Sequence, residues 1–157
     1  MQNRILVTGG SGQLAREMLK LDRDLLAPSR KEMDISSYDS IESYCASRGV
    51  SIVIHAAAVT NKFNEDADEG YLLSNIIGTA NVALWCRRHK TRLVYVSSDY
   101  VYPGERGGYS EESPLLPVNR YAVSKLGGEC SVHLVAKSLI VRTSFYRELN
   151  FAEGCTD

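Results

Sequence analysis

Arg4-Ile5-Leu6-Val7-Thr8-Gly9-Gly10-Ser11-Gly12-Gln13-Leu14-Ala15 is the stretch from which the fold can be read. Its apolar run reads as a buried strand, its glycine cluster as a tight turn, and the residues from about Gln13 to Leu21 as a helix. Reduced to fixed points, the turn is Gly9-x-x-Gly12-x-x-Ala15. Glycine at the first point permits the turn, and glycine at the second lets backbone approach a pyrophosphate. The small third residue lets the helix lie close to the sheet. The helix N-terminus then offers free N–H groups and a partial positive charge to phosphate. A purely structural turn could use the same residues; the strand–turn–helix context favours the dinucleotide reading.

Outward from that turn, short apolar runs alternate with longer amphipathic stretches, without repeats or low-complexity tracts. Asp24–Pro28 reads as a second strand, and Ser37 or Asp39 caps a helix running to about Arg48. Ser51–Ala56 is a β-branched run bounded by Gly49, as expected of a fully buried strand. A long helix is expected from about Ala67 to His89. Its apolar residues Leu73, Ile76, Ile77, Ala80 and Leu84 recur at helical spacing, and Arg87, Arg88 and Lys90 suit its C-terminal end. Then come a strand at Arg92–Ser97, a loop at Pro103–Pro117, a helix from Arg120 to about Val135, and a strand at Leu139–Thr143. This alternation predicts an α/β fold, a Rossmann-type doubly wound parallel sheet with helices on both faces. Residues 1–144 are expected to form an NAD(P)-binding domain. Residues 145–157 mix aromatics with charges and show no period; they are expected to begin a truncated or missing substrate-binding lobe.

At 157 residues, 44% apolar and 24% charged, the chain has the make-up of one soluble globular domain. A net charge of −1 argues against nucleic acid or an anionic membrane as partner. The longest apolar run, near Ile52–Val59, is too short to span a bilayer, and the N-terminus does not read as a signal peptide, so a cytoplasmic protein is expected. Cys45, Cys86, Cys130 and Cys155 form no Cys-x-x-Cys pair, and His55, His89 and His133 are scattered, so no metal is expected.

Cofactor preference is read just after the second strand, in Pro28-Ser29-Arg30-Lys31-Glu32. Arg30 can grip a 2′-phosphate bidentately, with a hydrogen bond from Ser29. NADP(H) is therefore the expected cofactor. Glu32 and Asp34 stand close by and leave NAD(H) open, and a solvated charged loop is the alternative reading.

Tyr121-Ala122-Val123-Ser124-Lys125 sets a phenol and an ammonium at i and i+4, on one helix face. An adjacent cation favours phenolate and is expected to lower the tyrosine's pKa toward working pH. Ser98, at the end of what reads as the fourth parallel strand, can hydrogen-bond a reacting carbonyl. Tyr-x-x-x-Lys alone is more often just a helix face.

The motifs occur in order: the glycine turn, His55-Ala56-Ala57-Ala58, Asn75-x-x-Gly78-Thr79-x-Asn81, Ser97-Ser98-Asp99-Tyr100-Val101 and Tyr121-x-x-x-Lys125. Together they resemble the extended short-chain dehydrogenase/reductases acting on nucleotide sugars, most of all the dTDP-4-dehydrorhamnose reductase family, over roughly Arg4 to Tyr146. The resemblance implies an oxidoreductase of carbohydrate biosynthesis reducing a 4-keto nucleotide sugar. It implies that Gly9, Gly12 and Leu14, with Gln13, line the pyrophosphate, Asp34 and Ile35 the adenine, and Ala56, Ala57 and Ala58 the ribose side. Asn75 and Ser97 count among the cofactor-binding residues, Asn75 supporting the site from its helix. Tyr121 would protonate the keto oxygen, Lys125 hold the nicotinamide ribose and tune Tyr121, and Ser98 polarise the carbonyl. Thr143 and Ser144 match a stretch near the nicotinamide.

Ser98 is followed by Asp99 and Tyr100, without the second carboxylate of the family's dehydratases, and Asp99 stands where its epimerases typically carry a small residue. The reductase reading follows, with epimerase or dehydratase as the lesser alternative. The regulatory subunit of methionine adenosyltransferase shares the Ser-Ser-Asp-Tyr-Val string. A non-catalytic dinucleotide-binding module with a larger protein partner, or a homodimer, therefore stays open. If the chain is an excerpt of a longer reductase, an exposed apolar face is expected where the second lobe docks.

Overall fold

A computed structural model describes residues 4–60 and 67–144. Strands β1 (Arg4–Thr8), β2 (Val50–His55), β3 (Arg92–Ser98) and β4 (Ser138–Thr143) form a parallel sheet in the order β1-β2-β3-β4. The expected second strand is reduced to a single parallel bridge, Leu26 against Leu6, on the side of β1 away from β2. Ser98 therefore closes the third strand of the sheet rather than the fourth. The chain leaves β1 in one direction to reach Leu26 and returns in the other to reach β2. Right-handed crossovers then put α1 (Gln13–Leu21) and α2 (Tyr38–Cys45) on opposite faces, which makes the sheet doubly wound.

The α2 face carries the main core. There α2, α4 (Thr79–His89) and α5 (Arg120–Val132) pack side by side over Leu6, Val53, Leu93 and Tyr95. Each such apolar side chain contributes roughly 1.5–3 kcal/mol on burial. Caps fix two of the helix starts. The Ser37 hydroxyl accepts from Ser40 N and the Asn119 side chain from Ala122 N, each cap worth about 1 kcal/mol. On the opposite face, β4 presents Leu139 and Val141 to solvent, while Ile140 packs against the core on the α5 side.

The long helix between β2 and β3 departs from expectation. It consists of an α-helical turn, α3 (Asp68–Gly70), a π-helical stretch (Tyr71–Gly78) and then α4. Leu73, Ile77 and Leu84 of the expected core stripe are 39%, 45% and 40% exposed. Tyr71, Asn75, Gly78, Thr79 and Val82 are buried in their place. The wider π turn shifts the helical period, and buried polar residues claim the inward face because their partners lie there. Among the described residues, no helix is long and apolar enough to cross a membrane.

Candidate active site

A cleft opens where the C-terminal strand ends meet the N-terminus of α1, at the point where the strand order reverses. Its larger chamber, about 550 Å3, runs from Gly9, Gly12, Gln13 and Leu14 to Ser98, Tyr121 and Lys125. A smaller chamber of about 260 Å3 shares Gly9, Gly12, Ala56 and Ala58 with it and continues past Ala57 to Arg30, Asp34 and Ile35.

The glycine turn forms the waist of the cleft. Gly9 has φ +76°, and a β-carbon on it would lie 2.9 Å from Ala57 Cα. Gly10, which the fixed-point pattern does not single out, is needed as well. A β-carbon there would meet the Ala27 carbonyl oxygen at 2.0 Å, and its N–H donates to Pro28 O. Gly12 is the N-cap of α1, and no side chain caps that end. Helix-end amides without a side-chain partner, reached across a residue that has no side chain, suit a pyrophosphate.

In the smaller chamber, Arg30 Nε sits 3.3 Å from Asp34 Oδ2, with the Arg30 side chain 73% exposed. Ser29 does not line either chamber, contrary to expectation. Its N–H and hydroxyl both donate to Glu32 Oε2, at 2.8 and 2.7 Å. These bonds hold the Glu32 carboxyl below its ordinary range, while the Ser36 hydroxyl and amide do the same for Asp34.

The other end is buried. The Asn119 cap starts α5 two residues before Tyr121, which turns the phenol toward the end of β3. Burial pushes the Tyr121 phenol up, opposed by a hydrogen bond with the Ser98 hydroxyl. The expected lowering by Lys125 is not what this arrangement shows. Lys125 Nζ lies 4.1 Å from the centre of the Tyr95 ring, and burial pushes its own pKa down to about 7. A protonated phenol is the form that a reduction consumes, so the upward shift suits a proton donor.

Three further residues hold this geometry. Asn75 lines neither chamber and is fully buried behind the cleft. Its Oδ1 accepts from Val59 N, and its Nδ2 donates to Val59 O and Ser124 Oγ. It thus braces Val59 and Ser124 from behind the cleft. Thr8 Oγ1 accepts from Ala56 N and Ala57 N, which leaves its proton for His55 Nδ1 at 2.7 Å. His55 must then carry its proton on Nε2 and donate to Thr79 at 2.9 Å. Burial pushes this histidine down to about 3. Ser97 lines the cleft, but its hydroxyl donates to Glu129 behind it. Thr8 and Glu129 were given no part from the sequence, and Thr79 entered only as a member of the Asn75-x-x-Gly78-Thr79-x-Asn81 motif; the one further signal was polar residues standing in otherwise apolar strands and helix faces.

Architecture and cleft together define a Rossmann-type α/β domain whose cleft is lined by a Ser98, Tyr121 and Lys125 set. More narrowly, the chain belongs to the RmlD substrate binding domain family, which it matches over residues 3–152. It is 35% identical over 150 residues to the dTDP-4-dehydrorhamnose reductase of Aggregatibacter actinomycetemcomitans, covering 90% of this chain and 51% of that protein. With the dTDP-4-keto-6-deoxy-D-glucose reductase of Streptomyces niveus it shares 34% identity, over 92% of this chain and 53% of the relative. The solved dTDP-4-dehydrorhamnose reductase of Bacillus anthracis, in complex with NADP, superposes with a TM-score of 0.81 at 33% identity, over 90% of this chain and 53% of that one. The chain spans about half the length of the curated relatives it matches.

Proposed function

We propose that this chain is the nucleotide-binding half of an NADP(H)-dependent reductase that converts the keto group of a dTDP-linked 4-keto-6-deoxy sugar to an alcohol. The observation that carries the reading is convergence. The glycine turn after β1 and the Ser98, Tyr121 and Lys125 side chains, distant in sequence, line one cleft. Relatives named as reductases of such sugars support the substrate class.

When bound, the dinucleotide supplies the hydride. The chain's own residues do the rest. Ser98 hydrogen-bonds the keto oxygen and Tyr121 gives it the phenolic proton. Hydride on carbon and proton on oxygen then balance the reduction to an alcohol. Lys125, which lines the cleft beside Tyr121, holds the ribose hydroxyls. The glycine turn takes the pyrophosphate, and Ala56, Ala57 and Ala58 flank the ribose. Asp34 and Ile35 take the adenine, with Arg30 and Ser29 giving NADPH its advantage over NADH. Thr143 and Ser144, which line the cleft beside Ser98, bound the nicotinamide end. The reading places the protein in a reducing compartment such as the cytoplasm, in keeping with free thiols at Cys45, Cys86 and Cys130.

Calorimetric titration with NADPH and NADH is the test, with tighter NADPH binding expected. Where turnover of a dTDP-4-keto-6-deoxy sugar is followed by NADPH absorbance, Tyr121→Phe lowers it by about 10²–10⁴-fold and leaves NADPH affinity within a few-fold. A folded chain that binds neither dinucleotide overturns the reading.

A further inference from the structure

Behind Lys125 lies a buried charged group with no place in the mechanism above. Glu129 is 1% exposed, on the same face of α5 as Lys125 and one helical turn further on. Its Oε1 accepts from the Ser97 hydroxyl at 2.5 Å, and its Oε2 accepts from Arg142 Nη2 at 2.8 Å, with Arg142 Nε bridging both oxygens. Arg142 also donates from Nη1 to the Tyr102 hydroxyl. Ser97 precedes Ser98 at the end of β3, and Arg142 precedes Thr143 and Ser144 at the end of β4. One carboxylate therefore ties α5 to both strand ends that border the reacting end of the cleft.

The surroundings of Lys125 make that carboxylate matter. The Lys125 ammonium, 2% exposed, rests on the Tyr95 ring of β3 rather than in water. From β2, His55 faces it neutral, its ring 5.5 Å from that of Tyr95. From α5 itself come Tyr121 and Glu129. Asp99, Tyr100 and Tyr71 act on Tyr121, and Arg142 of β4 stands beyond Glu129. Burial works against the ammonium, and the Glu129 charge works for it.

We infer that Glu129 is a positioning residue. Clamped by Ser97 and Arg142, its carboxylate keeps the neighbouring Lys125 side chain charged in its buried seat. Arg142 takes the opposite part, holding the carboxylate in place while offsetting some of its field. This rests on the reading of Lys125 as a working cation. The test, however, reads the charge on Lys125 directly, so failure of dinucleotide binding and failure of this inference remain distinguishable.

The experiment is a pH titration of the lysine side-chain carbons by NMR on the full chain without cofactor, with Lys125→Met identifying the signal. Glu129→Gln lowers the Lys125 midpoint by about one pH unit or more. Arg142→Gln raises it, because the carboxylate then acts without its counter-charge. A merely structural ion pair gives shifts of the same sign in both variants, or none in either, and either result overturns the inference. If Glu129→Gln fails to fold, Arg142→Gln carries the test alone, and an unmoved or lowered midpoint overturns it.

Discussion

The two ends of the cleft are built from different materials. At the end formed by the glycine turn and Arg30 the lining is backbone and exposed side chains. Glycines make room, helix-end amides face the cleft, and Ser29, Arg30, Glu32 and Asp34 pair with one another at the rim. At the end formed by Ser98, Tyr121 and Lys125 the polar groups are sealed. His55, Lys125 and Glu129 are each at most 2% exposed, and each is held by named partners. The first end tolerates change in side chains but not in backbone space. The second tolerates neither, because a buried polar group that loses its partner keeps its desolvation cost of about 1–3 kcal/mol.

The largest effect expected in binding comes from breaking the backbone end. Gly12→Val puts a branched side chain into the space between the two chambers, its β-carbon 3.0 Å from Gly9 O. NADPH affinity should fall by roughly 100-fold, about 2.7 kcal/mol, while the φ of −78° at this position is one that valine adopts. Calorimetry on the folded variant checks this. Unchanged affinity would mean the pyrophosphate lies elsewhere.

This contrast also explains what could be read in the sequence. The glycine turn, the four strands of the sheet and the Tyr121–Lys125 spacing are local patterns, and local patterns report backbone period and turn chemistry. The fold class, the matched family and the residues that meet in the cleft all came from them. Asp24–Pro28 misled because a short apolar run at the sheet margin needs only one bridge to belong there. The helix after β2 misled because its π turn moved Leu73, Ile77 and Leu84 outward while Asn75 and Thr79 turned in to partners some 16–49 residues away along the chain. No window of sequence contains those partners. For the same reason the Tyr121 shift was misjudged: helical spacing puts Lys125 on the right face, but the Tyr95 ring decides where its ammonium rests.

A medium effect should come from the sealed end through pH. His55 is pushed down to about 3 in the fold, against 6.5 as its ordinary value. Between those values the unfolded chain binds a proton that the native one refuses, so stability falls as pH drops below about 6.5. The slope approaches one proton's worth, about 1.4 kcal/mol per pH unit. Chemical denaturation at several pH values reads it. In His55→Gln that contribution should vanish. An unchanged slope would show that acid acts through other groups.

The smallest effect belongs to the rim. Arg30→Ala should weaken NADPH by a few-fold and leave NADH unmoved, because an exposed cation already paired with Asp34 gives up part of its field. Glu32→Gln should do the reverse. The Glu32 carboxylate now accepts from both the N–H and the hydroxyl of Ser29, the donors that a 2′-phosphate would use, and it also repels that phosphate. Replacing the charge with an amide removes the repulsion and weakens the competition, so NADPH binding should tighten by a few-fold while NADH binding stays level. Parallel titrations with the two cofactors separate the cases. If NADH tightens equally, Glu32 acts on the shape of the loop rather than on the phosphate, and the rim is no selectivity device.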